Sequence, residues 1–280
     1  MTSTLHARIL ELQDQFTESE RRLAQVTLEC IDNLAAYTGT ELAQRAGVSK
    51  ASAGRFFRRL GYENFNEVRA LARDEADRGS PLHELALVND TATNPAASHL
   101  ANDLQNLSKT FERLDPGDVD RVSALLKSAR KVYIAGFRNG RVLAQYAWAL
   151  LTQLRGGVAL VPGAGLNLAE DLADLGPRDL LLVMDFRRRV SLLRPMVEHA
   201  NRVNAKVVIL TDPTATELPA RSDVVLRCVN RGSALFDSYV AAISVVNHLC
   251  STFALSLGDA ARERLEAIET LHDHYGDLHR

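Results

Sequence analysis

Between Arg45 and Arg59 the chain sets five basic side chains, Arg45, Lys50, Arg55, Arg58 and Arg59, with no carboxylate among them. Cations on successive helical turns suit a row of phosphates, and an arginine fork also suits the paired acceptors on a guanine edge. A second set of groups stands in two short segments, Gly136-Phe137-Arg138-Asn139-Gly140 and Asp185-Phe186-Arg187-Arg188-Arg189-Val190. Both follow apolar runs, and both carry guanidinium groups, which favour an anion. Bond-making chemistry has less behind it. His6, His83 and His99 precede those segments, His272, His274 and His279 lie near the end, and His199 and His248 stand singly on helical stretches. Glu170 is the only carboxylate that merits a test as a base for proton abstraction. No paired acid, metal-ligand spacing, nucleophile elbow or nucleotide fingerprint accompanies it, so neither catalysis, metal nor cofactor is expected.

The elements that would hold the first set read as two helices within residues 40–65. Thr40 caps a short helix whose apolar positions are Leu42, Ala43 and Ala46; Gly47 supplies a tight turn and Val48 plugs the angle. Ser49 caps the second helix, which turns Phe56, Phe57 and Leu60 to a core. Such a helix-turn-helix places the first half of its second helix at base edges, here Lys50, Ser52 and Arg55. Ser49, Thr40, Arg58 and Arg59 suit backbone phosphates, although a solvated helix face is the competing reading for Arg58 and Arg59. Gly54 is out of place inside a helix, where it costs about 1 kcal/mol against alanine. It would allow close approach to another backbone or to DNA.

The 280 residues leave room for two domains, and a net charge of −2 means that nucleic-acid binding has to come from a local patch. Cys30, Cys228 and Cys250 are odd in number and far apart, which fits buried small side chains and a reducing cytoplasm. Leu5, Ile9, Leu12 and Phe16 are spaced as one helix face over 5–16 and not as a signal peptide. Thr17 with Glu20 opens the next helix, with Leu23, Val26, Leu28, Ile31 and Leu34 apolar up to Tyr37. Residues 65–77 close this domain, 1–78, with Val68, Leu71 and Ala72 inward. Gly79-Ser80-Pro81 and Asn94-Pro95 bracket a linker, 79–95.

Residues 96–280 form the second domain. Helices over 96–114 and 118–128 precede apolar strands at 132–136, 158–161, 180–184, 206–210 and 224–228. Helices over 141–154, 168–175, 192–203 and 235–257 intervene or follow. Continuous apolar strands alternating with helices predict a parallel sheet covered on both faces. The apolar stretch 240–257 is interrupted by Asn247 and His248 and reads as a buried helix, with no membrane span.

These segments resemble the RpiR-type bacterial transcriptional regulators, which pair a helix-turn-helix with a sugar isomerase (SIS) domain that senses a ligand. The resemblance rests on Thr17-Glu18-Ser19-Glu20-Arg21, Glu41-Leu42-Ala43, Ala46-Gly47-Val48-Ser49, Arg55-Phe56, Leu60-Gly61-Tyr62 and Phe65, in order and spacing. Further on it rests on Asp179-Leu180-Leu181-Leu182-Val183, on Val207-Val208-Ile209-Leu210-Thr211-Asp212 and on Arg221-Ser222-Asp223. It implies an α/β chain: an all-α helix-turn-helix domain plus a doubly wound, parallel, five-stranded SIS-type αβα sandwich. It also implies a double-stranded DNA operator, a small-molecule effector and a homodimer or tetramer.

The resemblance further implies a phosphosugar held by a Gly-x-Gly-x-Ser/Thr turn and a Ser-x-Ser-Gly-x-Thr loop. Here the first loop keeps Gly136 but loses the hydroxyl, and the second has lost every hydroxyl and its glycine. The expected ligand set is Gly136, Arg138, Asn139, Gly140, Asp185, Arg187, Arg188 and Arg189, with Thr211 ending a strand and Ser238 opening the last helix. Three readings stay open: an anion bound by the arginines, an altered ligand with the arginines paired to Asp185 or Asp237, and a vestigial site. The expected function is a regulator whose SIS domain senses a small anionic metabolite, a phosphosugar or a carboxylate. The alternatives are a sugar-phosphate isomerase-like enzyme and a ligand-independent DNA-binding protein.

Overall fold

A computed structural model describes residues 5–30, 34, 37–77, 94–164 and 167–277. Contacts divide the chain into two units, Met1–His83 and Glu84–Arg280. Of the expected linker only Asn94 and Pro95 are described, and they open a helix.

The first unit contains α1 (Leu5–Leu12), α2 (Glu18–Glu29), α3 (Gly39–Arg45), α4 (Lys50–Arg59) and α5 (Phe65–Asp77). Its core is aromatic. Phe56 and Phe57 are wholly buried, and the rings of Phe16, Phe56, Phe57 and Phe65 follow one another with centroids 5.5, 5.2 and 5.0 Å apart. The first helix is shorter than its periodicity predicts: it stops at Leu12, and a 3-10 turn, Gln13–Gln15, carries Phe16 into the core. Thr17 and Glu20 form the expected capping box on α2, which ends at Glu29, short of Tyr37; Ile31 lies outside the described residues. Along α5 the inward side chains are Phe65, Val68 and Ala72. Leu71, expected inward, is exposed, because the helical phase sets it beside that face.

The second unit is built on five parallel strands, β1 (Val132–Gly136), β2 (Val158–Val161), β3 (Leu180–Asp185), β4 (Lys206–Thr211) and β5 (Val224–Arg227), in the order β2-β1-β3-β4-β5. Its helices are α6 (Pro95–Phe111), α7 (Pro116–Ser128), α8 (Asn139–Leu154), α9 (Leu168–Leu172), α10 (Leu193–Arg202), α11 (Val240–Leu257) and α12 (Asp259–Tyr275). Strand alternation divides the core into two layers. Ile134, Leu182, Met184, Val208 and Leu210 pack with Val122 of α7, Leu143 and Ala144 of α8, and Val245 and Val246 of α11. Tyr133, Ala135, Leu181, Val183, Val207 and Ile209 pack with Met196, Val197 and Ala200 of α10. This is the predicted αβα sandwich.

Two differences from the sequence reading matter. The last core helix begins at Val240 and not near 235, because residues 228–239 form a loop tied to α6. The Val229 amide donates to Thr110 Oγ1 at 2.8 Å, and the Arg231 carbonyl accepts from Asn102 and Asn106 at 2.6 and 2.7 Å. A further helix, α12, follows a turn at Gly258 (φ +56°) and is tied to α8 by Arg264, which donates to the Thr152 carbonyl at 2.7 and 3.2 Å. Its polar surface hid it from a reading that looked for apolar faces. Among the described residues α11 alone has the length and apolarity to cross a membrane. It instead lays Ala242, Val245, Leu249, Cys250 and Phe253 into the sheet core, where burial pushes the Cys250 thiol up to about 12.

Candidate nucleic-acid interface and ligand crevice

Helices α3 and α4 start on side-chain caps, and one cap corrects the sequence reading. Thr38, not Thr40, caps α3. Its hydroxyl accepts from the Glu41 amide at 3.2 Å, and the Glu41 carboxylate accepts from the Thr38 amide at 2.6 Å. Only Thr38 has a glutamate three residues on, which the reciprocal box requires. Thr40 is left exposed in the first turn. Gly47 takes φ +64° at the turn, and Ser49 caps α4 as expected, accepting from the Ser52 amide at 3.1 Å.

Along α4 the buried positions Ala53, Phe56, Phe57 and Leu60 form one face, and Arg55 and Arg58 point away from it. The hydroxyls of Ser49 and Ser52 lie 3.0 Å apart, and Arg55 donates to Ser52 Oγ at 3.1 Å. Ser49, Ser52 and Arg55 thus form one polar string at the start of the helix. Lys50, Arg55 and Arg58 are exposed, and no carboxylate among the described residues pairs with any of them. Arg59 is placed differently. It pairs with Glu20 at 2.9 Å, donates to the Gln15 carbonyl at 2.9 Å and lies 5.8 Å from the Phe16 ring centre. Arg45 likewise donates to the Tyr37 hydroxyl at 2.6 Å. All five cations are exposed, but Lys50, Arg55 and Arg58 have no bond beyond their own helix among the described residues, whereas Arg45 and Arg59 are tied to groups outside theirs.

In the second unit the strand order reverses direction between β1 and β3, which opens a crevice beyond their carboxyl ends. Gly136 and Gly140 bring the start of α8 to that crevice. A methyl on Gly136 would lie 2.3 Å from the Gly140 carbonyl oxygen, and one on Gly140 would lie 2.8 Å from that of Met184. Both glycines are close-approach positions, not ligand contacts through side chains. Gly136→Ala is expected to destabilise the second unit by about 2–3 kcal/mol, since backbone must move. A denaturant midpoint equal to that of the parent protein would refute this.

Arg138 occupies the N-cap position of α8 with φ 51° and ψ −128°, a region that L side chains rarely adopt, and it forms no side-chain cap. This is also where the related turn has its second glycine. Asn139 follows, and its side chain lies close enough to the phenol of Tyr239 to bear on its acidity. That phenol donates to the Arg187 carbonyl at 3.1 Å, and its ring meets Phe186 edge-on at 5.4 Å. Tyr239 is therefore fixed to the β3 loop and lies beside the start of α8. Burial raises its pKa, and Asp237 and Asp212 add to the rise, while Asn139 and Arg138 oppose it. Tyr239 stands one residue beyond Ser238, the position expected from sequence. Ser238 lies just ahead of the helix, where its hydroxyl accepts from the Val240 amide at 3.4 Å.

The arginine loop is already engaged. Arg189 donates to Asp185 at 3.2 Å and to Asp212 at 2.7 Å; both carboxylates are 1% exposed. Thr214 donates its amide to Asp212 at 2.9 Å and its hydroxyl also bonds there, and Arg187 donates to the same hydroxyl at 3.0 and 3.2 Å. Thr211, buried at the end of β4, donates to the Asp185 carbonyl. Burial drives the pKa of Asp185 up, beyond what Arg189 offsets. For Asp212 burial also pushes upward, but Arg189, the two Thr214 bonds and Arg187 together hold it below the usual range. Arg188 remains exposed. Glu170 is exposed on α9, where it accepts from Asn167 at 3.4 Å.

Residues 3–77 match the helix-turn-helix domain of the rpiR family, and residues 125–251 match the SIS domain. The chain is of the RpiR type. It is 24% identical over 226 residues to an uncharacterized HTH-type transcriptional regulator in the aarA 3'region of Providencia stuartii, covering 80% of each chain. It is 26% identical over 270 residues to the bifunctional protein glk of Paraburkholderia xenovorans (strain LB400). That match covers 96% of this chain and spans only 42% of the longer protein. The structure of the Vibrio vulnificus NanR protein complexed with ManNAc-6P has a TM-score of 0.59 at 16% identity, covering 97% of this chain and 98% of that one. The likeness extends the shared fold over both units. This RpiR-type chain thus joins an rpiR-family helix-turn-helix domain to a SIS domain.

Proposed function

We propose that the SIS domain senses a small anionic metabolite, a phosphosugar before a carboxylate, at the crevice between β1 and β3, and thereby modulates operator binding. The observation that carries this is the start of α8. Its amides lack a side-chain cap, Arg138 stands beside them, and Asn139 lies near Tyr239, whose phenol donates to the opposite loop. A helix N-terminus with an adjacent arginine favours an anion. The ManNAc-6P bound by the Vibrio vulnificus protein of the same fold makes hexosamine phosphates the first class to test. Arg138, Asn139 and the exposed Arg188 take the ligand, whereas Arg189 serves its two aspartates and Arg187 serves Thr214.

On the DNA side Lys50, Ser52 and Arg55 read base edges, and Ser49, Thr40 and Arg58 hold phosphates. Arg59 acts through Glu20 to fix the recognition helix. The two sites communicate by linkage through a homodimer or tetramer, because a palindromic operator calls for matched two-fold symmetry. Val142 and Trp148, 61% and 40% exposed on α8, offer apolar surface for a second copy. Such a regulator works in the cytoplasm, with no membrane and no catalytic step.

A thermal-shift and operator-release screen with ManNAc-6P, other sugar phosphates and sugar acids tests the reading. At least one is expected to raise the unfolding midpoint and change operator affinity; no response to any of them would defeat the proposal. Tyr239→Phe is expected to weaken the effective concentration of the active compound about tenfold, the equivalent of one hydrogen bond. Its operator affinity without effector stays that of the parent.

A further inference from the structure

Among the described residues nothing packs closely against the interior glycine of the recognition helix. A methyl built on Gly54 meets nothing within 4 Å among the described residues, so no neighbouring backbone or side chain requires the position to be bare. Glycine within a helix is nonetheless costly relative to alanine, because it fixes more backbone freedom for no side-chain gain. The unit thus gives up stability at a place where its own packing gains nothing. Gly54 also lies on the i, i+4, i+8 ridge Lys50–Gly54–Arg58, between two exposed cations that pair with no described carboxylate. On this ridge Arg58 donates to the Gly54 carbonyl at 3.2 Å, and the space at the Gly54 Cβ position stays open.

We propose that Gly54 is the point of closest approach between the recognition helix and DNA. A sugar–phosphate wall of the groove packs against its bare Cα, with Lys50 and Arg58 on phosphates to either side. This rests on the reading of α4 as the DNA-contacting helix and goes beyond it, because it assigns a role to a residue with no functional group. It makes stability and binding move in opposite directions. Alanine restores helix propensity, while every added side-chain atom holds the groove wall away and withdraws the two flanking cations from their phosphates.

The test uses the full chain with a duplex selected by the parent protein from a random 30-base-pair pool, and with the unselected pool. Gly54→Ala is expected to raise the unfolding midpoint of the first unit by about 4 °C. It weakens binding to both DNAs about fivefold to tenfold, and Gly54→Leu weakens it about a hundredfold or more. The slope of log affinity against log salt falls by about one to two, the signature of lost phosphate contacts. Affinities and slopes that stay constant across the series, with the parent still selecting a duplex, overturn the role of Gly54 and leave α4 as the DNA-contacting helix. If the parent selects nothing from the pool, the DNA reading fails with it. Loss on the selected duplex alone, with the pool unaffected, also overturns the proposal, because it points to base edges and not to the groove wall.

Discussion

Replacing Arg189 by methionine is expected to destabilise the second unit by about 2–3 kcal/mol at neutral pH, with a deficit that shrinks in acid. Removing one partner of a buried ion pair costs about 3–5 kcal/mol. The lower figure applies here because the guanidinium is 34% exposed and water screens part of its charge. Methionine keeps most of the aliphatic contact, so the loss reports the charge. In the parent protein Asp212 titrates below its ordinary value of 3.8, so the stability it contributes is complete above that pH and disappears as pH falls through the lowered folded value. Asp185 has the opposite sign. Its raised folded value means that its ionisation opposes folding, an effect that grows as pH rises through that value. Without Arg189 both carboxylates move up, because burial then meets less opposition: Asp185 loses its arginine partner, and Asp212 keeps only Arg187 and the Thr214 bonds. Protonation relieves both, and the variant approaches the parent between neutral pH and about pH 4. Denaturant midpoints from pH 4 to 8 give the measurement. A constant deficit would remove the electrostatic account. No deficit at all would return Arg189 to the ligand, as the first of the three sequence readings had it.

That outcome bears on what a ligand meets. The sequence places three consecutive arginines on one loop and invites the picture of a wholly cationic cradle. The fold brings Asp212 from the end of β4 against that loop, and the i, i+4 spacing of Asp185 and Arg189 was visible all along. What could not be read was the second carboxylate, since the pairing depends on β3 and β4 being neighbours in register, with Asp185 opposite Thr211. The anion binding proposed above is accordingly assigned to the start of α8 and not to the β3 loop.

The strands were legible almost to the residue, because five continuous apolar runs bounded by polar turns leave little choice in a sheet buried on both faces. The order of the strands and the crevice follow from chain connectivity and not from any one residue. Caps were legible where the reciprocal partner was sought, as with Thr17 and Glu20, and misplaced where it was not, as with Thr40. Tyr239 was missed because its role is relational. A tyrosine ahead of a long apolar helix carries no signal until the fold sets the Arg187 carbonyl against its hydroxyl and Asn139 nearby. The division of the five cations into those bonded at most within their own helix and those tied outside it was equally hidden, since Glu20 and Arg59 lie 39 residues apart.

That division sets the second large expected effect. A Lys50→Ala, Arg55→Ala, Arg58→Ala variant should bind its selected duplex about a thousandfold more weakly near physiological salt, with a salt slope lower by about two to three. Its unfolding midpoint should stay close to the parent's, since the three side chains are exposed and form no ion pair among the described residues. The single variants separate the roles. Arg55→Ala should cost about tenfold to a hundredfold on the selected duplex and much less on random DNA, if its fork reads a base. Lys50→Ala and Arg58→Ala should weaken both equally and each lower the slope by about one. Arg59→Ala is the internal control. It breaks the tie to Glu20 and Gln15, so it should lower the unfolding midpoint, and it weakens DNA binding only as far as the helix shifts. A salt slope that falls as much for Arg59→Ala as for Arg58→Ala would place Arg59 on a phosphate after all. The bracing role would then belong to Arg45 and Tyr37 alone.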